Sequence, residues 1–99
     1  MTIKPTKQQV HDRIVQAAID VVSAEFVFRE ARAEVKNQFD VYFRAHGRPE
    51  GQFFPYNDEW AGSVRFTAAA NARRSKARKV LVNAKARLER AVHALERAL

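Results

Sequence analysis

Residues 47–57 read GRPEGQFFPYN, a stretch that holds two of the three glycines and two of the three prolines in the 99-residue chain. Glycine tolerates left-handed dihedrals, and proline lacks an amide proton and clashes with a preceding helical turn, so a helix arriving at Gly47 stops there. Upstream, from Lys7 to His46, there is no Gly or Pro at all. Thr6-Lys7-Gln8-Gln9 has the pattern of a capping box, in which the threonine hydroxyl and the glutamine three residues on satisfy each other's amides. This predicts one helix over about residues 7–46, roughly 60 Å long at about 1.5 Å per residue. Downstream, Asn57 is a candidate cap, and Asp58 and Glu59 complement the helix dipole, so a second helix is predicted over about 58–98. Gly62-Ser63 is its weak point, and Ser63 is an alternative start. Asn71 and Ser75 are milder candidates for a bend.

The hydrophobic period agrees. In the first helix Val10, Ile14, Ala17, Val21, Ala24, Phe28, Ala31, Val35 and Tyr42 follow alternating steps of four and three, with Gln38 as the break. In the second, Ala77, Leu81, Ala84, Leu88, Ala91, Leu95 and Ala98 do the same. Both seams place alanine at every seventh residue, which lets antiparallel helices approach closely. The fold class expected is all-α: an antiparallel helical hairpin, coiled-coil-like, with an aromatic loop at 47–57 and a single domain over 1–99. Val15, Ile19, Val22 and Phe26 widen the apolar face of the first helix beyond what one partner helix covers. A homodimer in which two hairpins form a four-helix bundle would cover it. A break near Arg29 to Arg32 that folds the helix back on itself is the alternative.

Composition limits the remaining choices. The chain is short for one hydrophobic core, which again favours self-association. It has no cysteine, so no disulfide framework and no thiolate metal site is available. No apolar run reaches the roughly 18 residues of a membrane span, and the N-terminal MTIKPTKQQV lacks the apolar core of a signal peptide. The expectation is a cytoplasmic chain with no membrane partner.

The formal charge is +7, divided as eight Lys/Arg against seven Asp/Glu over 1–57 and ten against four over 58–99. A basic C-terminal half suits nucleic acid, DNA or RNA, or an acidic protein. Within it NARRSKARKV, residues 71–80, puts Arg73, Arg74, Lys76, Arg78 and Lys79 into seven positions. These five spread around most of a helix circumference. A hairpin register centred on the loop pairs Arg74 with Glu30, Lys79 with Glu25 and Ala70 with Glu34, so the cluster reads first as a solvated, partly paired helix. Less compensated charge is expected at the open end, where Lys4, Lys7 and Arg13 meet Arg87, Arg90 and Arg97. Arg87 and Arg90 therefore join the five as candidates for binding nucleic acid or an acidic partner.

Eight of the ten aromatic residues fall between Phe39 and Phe66. One reading is a small aromatic core that closes the hairpin tip. The other is a partner-binding surface made of Arg48, Phe53, Phe54, Tyr56 and Trp60, which would supply protein anchors or a base-stacking platform. Catalysis finds no support: His11, His46 and His93 are scattered, and there is no HExxH, phosphate-binding glycine loop or Gly-x-Ser-x-Gly. Glu89 and His93 lie four apart, not in the Glu-x-x-His of di-iron bundles. No cofactor and no metal are expected.

Two resemblances add to this. Trp60-Ala61-Gly62 within a helical hairpin of about this length is similar to the WXG100 family of secreted helical-hairpin proteins, whose Trp-x-Gly motif marks the turn. The chain departs from that family in its long Phe/Tyr loop, its basic balance and its lack of a tyrosine after Trp60. FRAHGRPEG, followed by ARRSKARKVLVNAKARLERAV, resembles small helical proteins encoded in phages and prophages of proteobacteria. That resemblance implies an accessory role exerted by binding, such as inhibition of a host protein or occupation of a nucleoprotein complex. Sequence-independent nucleic-acid binding by the basic helix is the second expectation. No helix-turn-helix spacing suggests base-specific readout.

Overall fold

The computed structural model describes residues 4–99, so the first three residues of the expected domain lie outside it. It consists of two helices, α1 (Lys7–His46) and α2 (Asp58–Ala98), packed antiparallel as a hairpin. The start of α1 carries the capping box complete: the Gln9 amide donates to Thr6 Oγ1 at 3.1 Å and the Thr6 amide donates to Gln9 Oε1 at 2.9 Å. Its end is set by Gly47, whose φ of 79° is open only to glycine without strain and whose amide donates to the Phe43 carbonyl at 2.8 Å. Asn57 occupies the N-cap position of α2, with no side-chain cap bond, and Asp58 and Glu59 fill the first turn. Neither alternative interruption occurs. The first helix is continuous through Arg29 to Arg32, and the second runs through Gly62-Ser63.

Gly62 owes its place to packing. A Cβ there would overlap the Tyr42 hydroxyl of α1, so the absent side chain lets the tyrosine lie against the backbone of α2.

The core is a thin seam. Val10, Ala17, Ala24, Ala31 and Val35 are buried from α1, and Trp60, Ala70, Ala77 and Ala84 from α2. The seam of α2 also continues further toward the loop than its apolar residues indicate, because Ser63 and Thr67 are buried in phase with it. Their hydroxyls are satisfied by their own helix: Ser63 Oγ donates to the Trp60 carbonyl at 2.7 Å and Thr67 Oγ1 to the Ser63 carbonyl at 2.9 Å. With the polar group spent locally, each packs as a small residue.

Near the tip Tyr42 lies against Gly62, as the loop-centred register has it, while the long side chains of Glu34 and Arg73 reach each other about one helical turn off that register. Ala17 and Ala91 line one inter-helix groove, and Ala24, Ala31, Ala77 and Ala84 line another, so the heptad alanines of the two helices meet. Small residues thus face one another along the seam.

The molecule measures 63 × 23 × 20 Å with a radius of gyration of 20.5 Å, against about 13 Å for a compact domain of this length. No helix among the described residues is long and apolar enough to cross a membrane.

Leucine at the alanine seam tests this packing. Ala84 is 1% exposed, and Ala84→Leu is expected to cost about 1–3 kcal/mol by overpacking, read as a fall in denaturant midpoint. An unchanged midpoint would mean that the helices do not meet at this alanine.

Candidate functional site

The aromatic residues divide into a core and an open tip. Trp60, in the first turn of α2, is 1% exposed. Phe53 meets it edge-on at 5.1 Å between centroids and Phe43 at 5.9 Å, while Phe39 contacts Phe43 and Phe53 at 5.7 and 5.6 Å. Tyr42 packs on Phe66 at 5.6 Å and on His46 at 4.5 Å. Arg48 lies over this cluster, its guanidinium carbon 5.3 Å from the Trp60 ring and 6.0 Å from that of Phe43, within cation–π range. Trp60 is therefore no exposed anchor: its ring closes the tip, and Arg48 and Phe53 pack on it. Of the expected partner surface, Arg48 and Phe53 stay exposed while packing on Trp60, Phe54 is half exposed, and Tyr56 is 98% exposed. The Trp60-Ala61-Gly62 segment lies inside α2, and the turn is made by the preceding loop.

Arg73, Arg74, Lys76, Arg78, Lys79, Arg87 and Arg90 are all exposed. They do not form one surface. The helical step sends Arg73 and Lys76 to one side of the hairpin, where with Arg87 they flank a groove of about 680 Å³ whose floor is Ala24, Ala31, Ala77 and Ala84. Asp20 and Glu34 line the same groove. Arg74 and Arg78 go to the other side and share a cleft of about 240 Å³ with Arg32, Ser75 and Phe28. That cleft has no acidic lining residue. Arg32 also stands 5.6 Å over the Phe28 ring. Arg32 was not a sequence candidate; its step of four to the seam residue Phe28 is the signal that places it on this side. At the open end Arg13, Arg87 and Arg90 come together around a groove of about 460 Å³ with Asp20 as the one acidic lining residue.

The expected pairs of Arg74 with Glu30 and Lys79 with Glu25 are not formed. The ion pair between the helices, among the described residues, is Arg73 with Glu34. It is two-pronged: Arg73 Nε donates to Glu34 Oε2 at 3.2 Å and Nη2 donates to Oε1. Gln38 Nε2 adds a longer donation to Glu34 Oε1 at 3.4 Å. The Arg73 hydrogen bond holds the Glu34 carboxyl below the ordinary carboxylate value, the attraction of the cation adds to this and partial burial opposes it. The same contact raises Arg73 further above its ordinary value.

Two sets of variants separate structural from free groups. Trp60→Ala is expected to cost about 3–5 kcal/mol, whereas Tyr56→Ala is expected to stay within about 0.5 kcal/mol, both read by denaturant unfolding. Because the folded-state value for Glu34 is lowered, its contribution is complete above the ordinary carboxylate value and is lost as pH falls through the lowered one. The melting temperature of the wild type should therefore exceed that of Glu34→Gln at neutral pH, with the gap closing on acidification. Arg73→Glu should destabilise and Glu34→Arg added to it should restore, while Arg74→Glu should change little. A melting temperature equally sensitive to Arg74→Glu would refute the pairing.

The chain matches no protein-family model, no curated protein and no solved structure.

Proposed function

We propose that this chain is a non-enzymatic helical binding protein that works as a homodimer and occupies a surface on a host protein or nucleoprotein complex. The observation that carries this reading is how much apolar and aromatic side chain the hairpin leaves open. Its core is a seam of alanines closed by one tryptophan, while Val15, Ile19, Val22 and Phe26 on α1 and Phe54 and Tyr56 at the tip stand in solvent. Contiguous exposed apolar surface of this kind marks a contact site. The α1 face suits a second copy, and the tip, with one fully open tyrosine over a rigid aromatic base, suits a protein partner. The resemblance of FRAHGRPEG and the basic segment to phage-encoded proteins supports the role of an accessory acting in the cytoplasm of a bacterial host.

Direct binding of DNA or RNA is the second reading. It is favoured by the acid-free cleft of Arg32, Arg74 and Arg78 and by the Arg13, Arg87 and Arg90 groove. Both offer guanidinium groups to phosphates without regard to sequence.

Capture from a bacterial lysate, with and without nuclease, separates the two. A protein retained through nuclease and moderate salt, and lost with Phe54→Ser and Tyr56→Ser, is the expected result. The competing result is retention that vanishes with nuclease, together with binding to a random duplex that weakens steeply with salt at a log–log slope of roughly −0.9 per phosphate contacted. Loss of that duplex binding in Arg74→Glu/Arg78→Glu or Arg87→Glu/Arg90→Glu would assign it to one of the two basic clusters and overturn the protein-binding reading.

A further inference from the structure

We infer that two copies of this chain pair antiparallel through the outer face of α1, with Asp12 of each copy bound to Arg29 of the other. The inference deepens the dimer named above by giving it an interface, an orientation and a register. Val15, Ile19, Val22 and Phe26 are 58, 54, 67 and 58% exposed. Their steps of four, three and four make a second coiled-coil seam, on the far side of α1 from the alanine seam that faces α2. Extended by one step at each end, the seam reaches Asp12 before Val15 and Arg29 after Phe26, both exposed. The steps then read three, four, three, four, three from either end. Such a series superposes on its own reverse.

A two-fold axis between Ile19 and Val22 makes use of that symmetry. It sets Ile19 against Val22 of the second copy and Val15 against Phe26, so that each contact joins a larger side chain to a smaller one. The same axis sets Asp12 against Arg29 at both ends of the interface, opposite signs each time. A parallel pairing would instead oppose Asp12 to Asp12 and Arg29 to Arg29. Gln8 Nε2 donates to Asp12 Oδ1 at 2.9 Å and steadies the carboxylate at the rim. Arg29 carries no ion pair among the described residues.

The area also calls for a partner. The hairpin exposes 7844 Å², against roughly 5,700 Å² for a compact chain of this mass. The excess of roughly 2,100 Å² is more than the about 800 Å² that each partner buries in a standard interface. A face on α1 opposite α2 places the two α1 helices at the centre of the assembly and the α2 helices outside. The result is an extended four-helix layer with the two aromatic tips pointing in opposite directions.

Light scattering and sedimentation of the full chain, with far-UV circular dichroism as the check on folding, test this. The wild type is expected to be a dimer at tens of micromolar. Val22→Lys should be a helical monomer, while Val27→Lys, which lies in the groove between α1 and α2, should remain a dimer. Asp12→Arg and Arg29→Asp should each weaken the homodimer by about tenfold. Mixed together they should form a heterodimer tighter than either homodimer, because each supplies the charge the other lacks. A monomeric wild type at 100 micromolar overturns the inference, as does loss of the dimer in Val27→Lys with none in Val22→Lys. Mixing that yields no heterodimer preference overturns the antiparallel register. A monomer that still captures a protein partner through Tyr56 would overturn this inference while leaving the binding role standing.

Discussion

The close approach of two alanine-lined helix faces is the constraint from which the rest of the molecule follows. Alanine at every seventh position on both helices lets the backbones draw near, and burial of Ala17, Ala24, Ala31, Ala77 and Ala84 shows the faces engaged. Such a seam removes little area per residue, since a methyl group has little to bury. The large apolar residues of α1 therefore remain outside it. A rod of 63 Å with a narrow core and a wide apolar flank is the result. The same property that defines the hairpin leaves Val15, Ile19, Val22 and Phe26 in solvent.

Where the seam turns polar, in the half nearer the loop, the polar groups are arranged to satisfy one another. Thr67 donates into its own helix and accepts from Asn71 Nδ2 at 3.2 Å, and Glu34 receives Arg73 and Gln38. Among the described residues Arg73 and Gln38 lend hydrogen bonds to Glu34, and the first crosses between helices. A single cross-helix ion pair among the described residues therefore adds to the alanine packing, while the other basic residues of the cluster face solvent on both sides.

The two helices and their limits were legible in the sequence because each boundary has a local cause: the Thr6 capping box, Gly47 and the acidic first turn after Asn57. The seam was legible over α1 and over the second half of α2, where alanine and leucine alternate. It was not legible from Trp60 to Ala70, because Ser63 and Thr67 read as polar until their hydroxyls are seen to bond within the helix. The ion pair was hidden for a different reason. A loop-centred register sets residues opposite one another but does not say which long side chains share a side of the hairpin and reach across. Arg73 shares a groove with Glu34 and meets it, whereas Arg74 lies on the other side. The split of the aromatic residues was also hidden, since composition alone cannot distinguish Trp60, which closes the tip, from Tyr56, which leaves it.

The position of the aromatic cluster has a further consequence for how the chain loses its freedom. Phe43 and Trp60 flank a short loop, Glu34 and Arg73 are 39 residues apart, and Ala17 and Ala91 are separated by most of the chain. The entropy of bringing two positions together grows slowly with the length between them, by about 0.6 kcal/mol per doubling. It is smallest at the tip, where the large rings make the most contact, and greatest at the open end, where methyl groups make the least. Each contact nearer the tip shortens the loop that the next one must close. The cost of closure is thus graded along the hairpin, least at the tip and greatest at the open end, toward which the segment from Val15 to Phe26 lies.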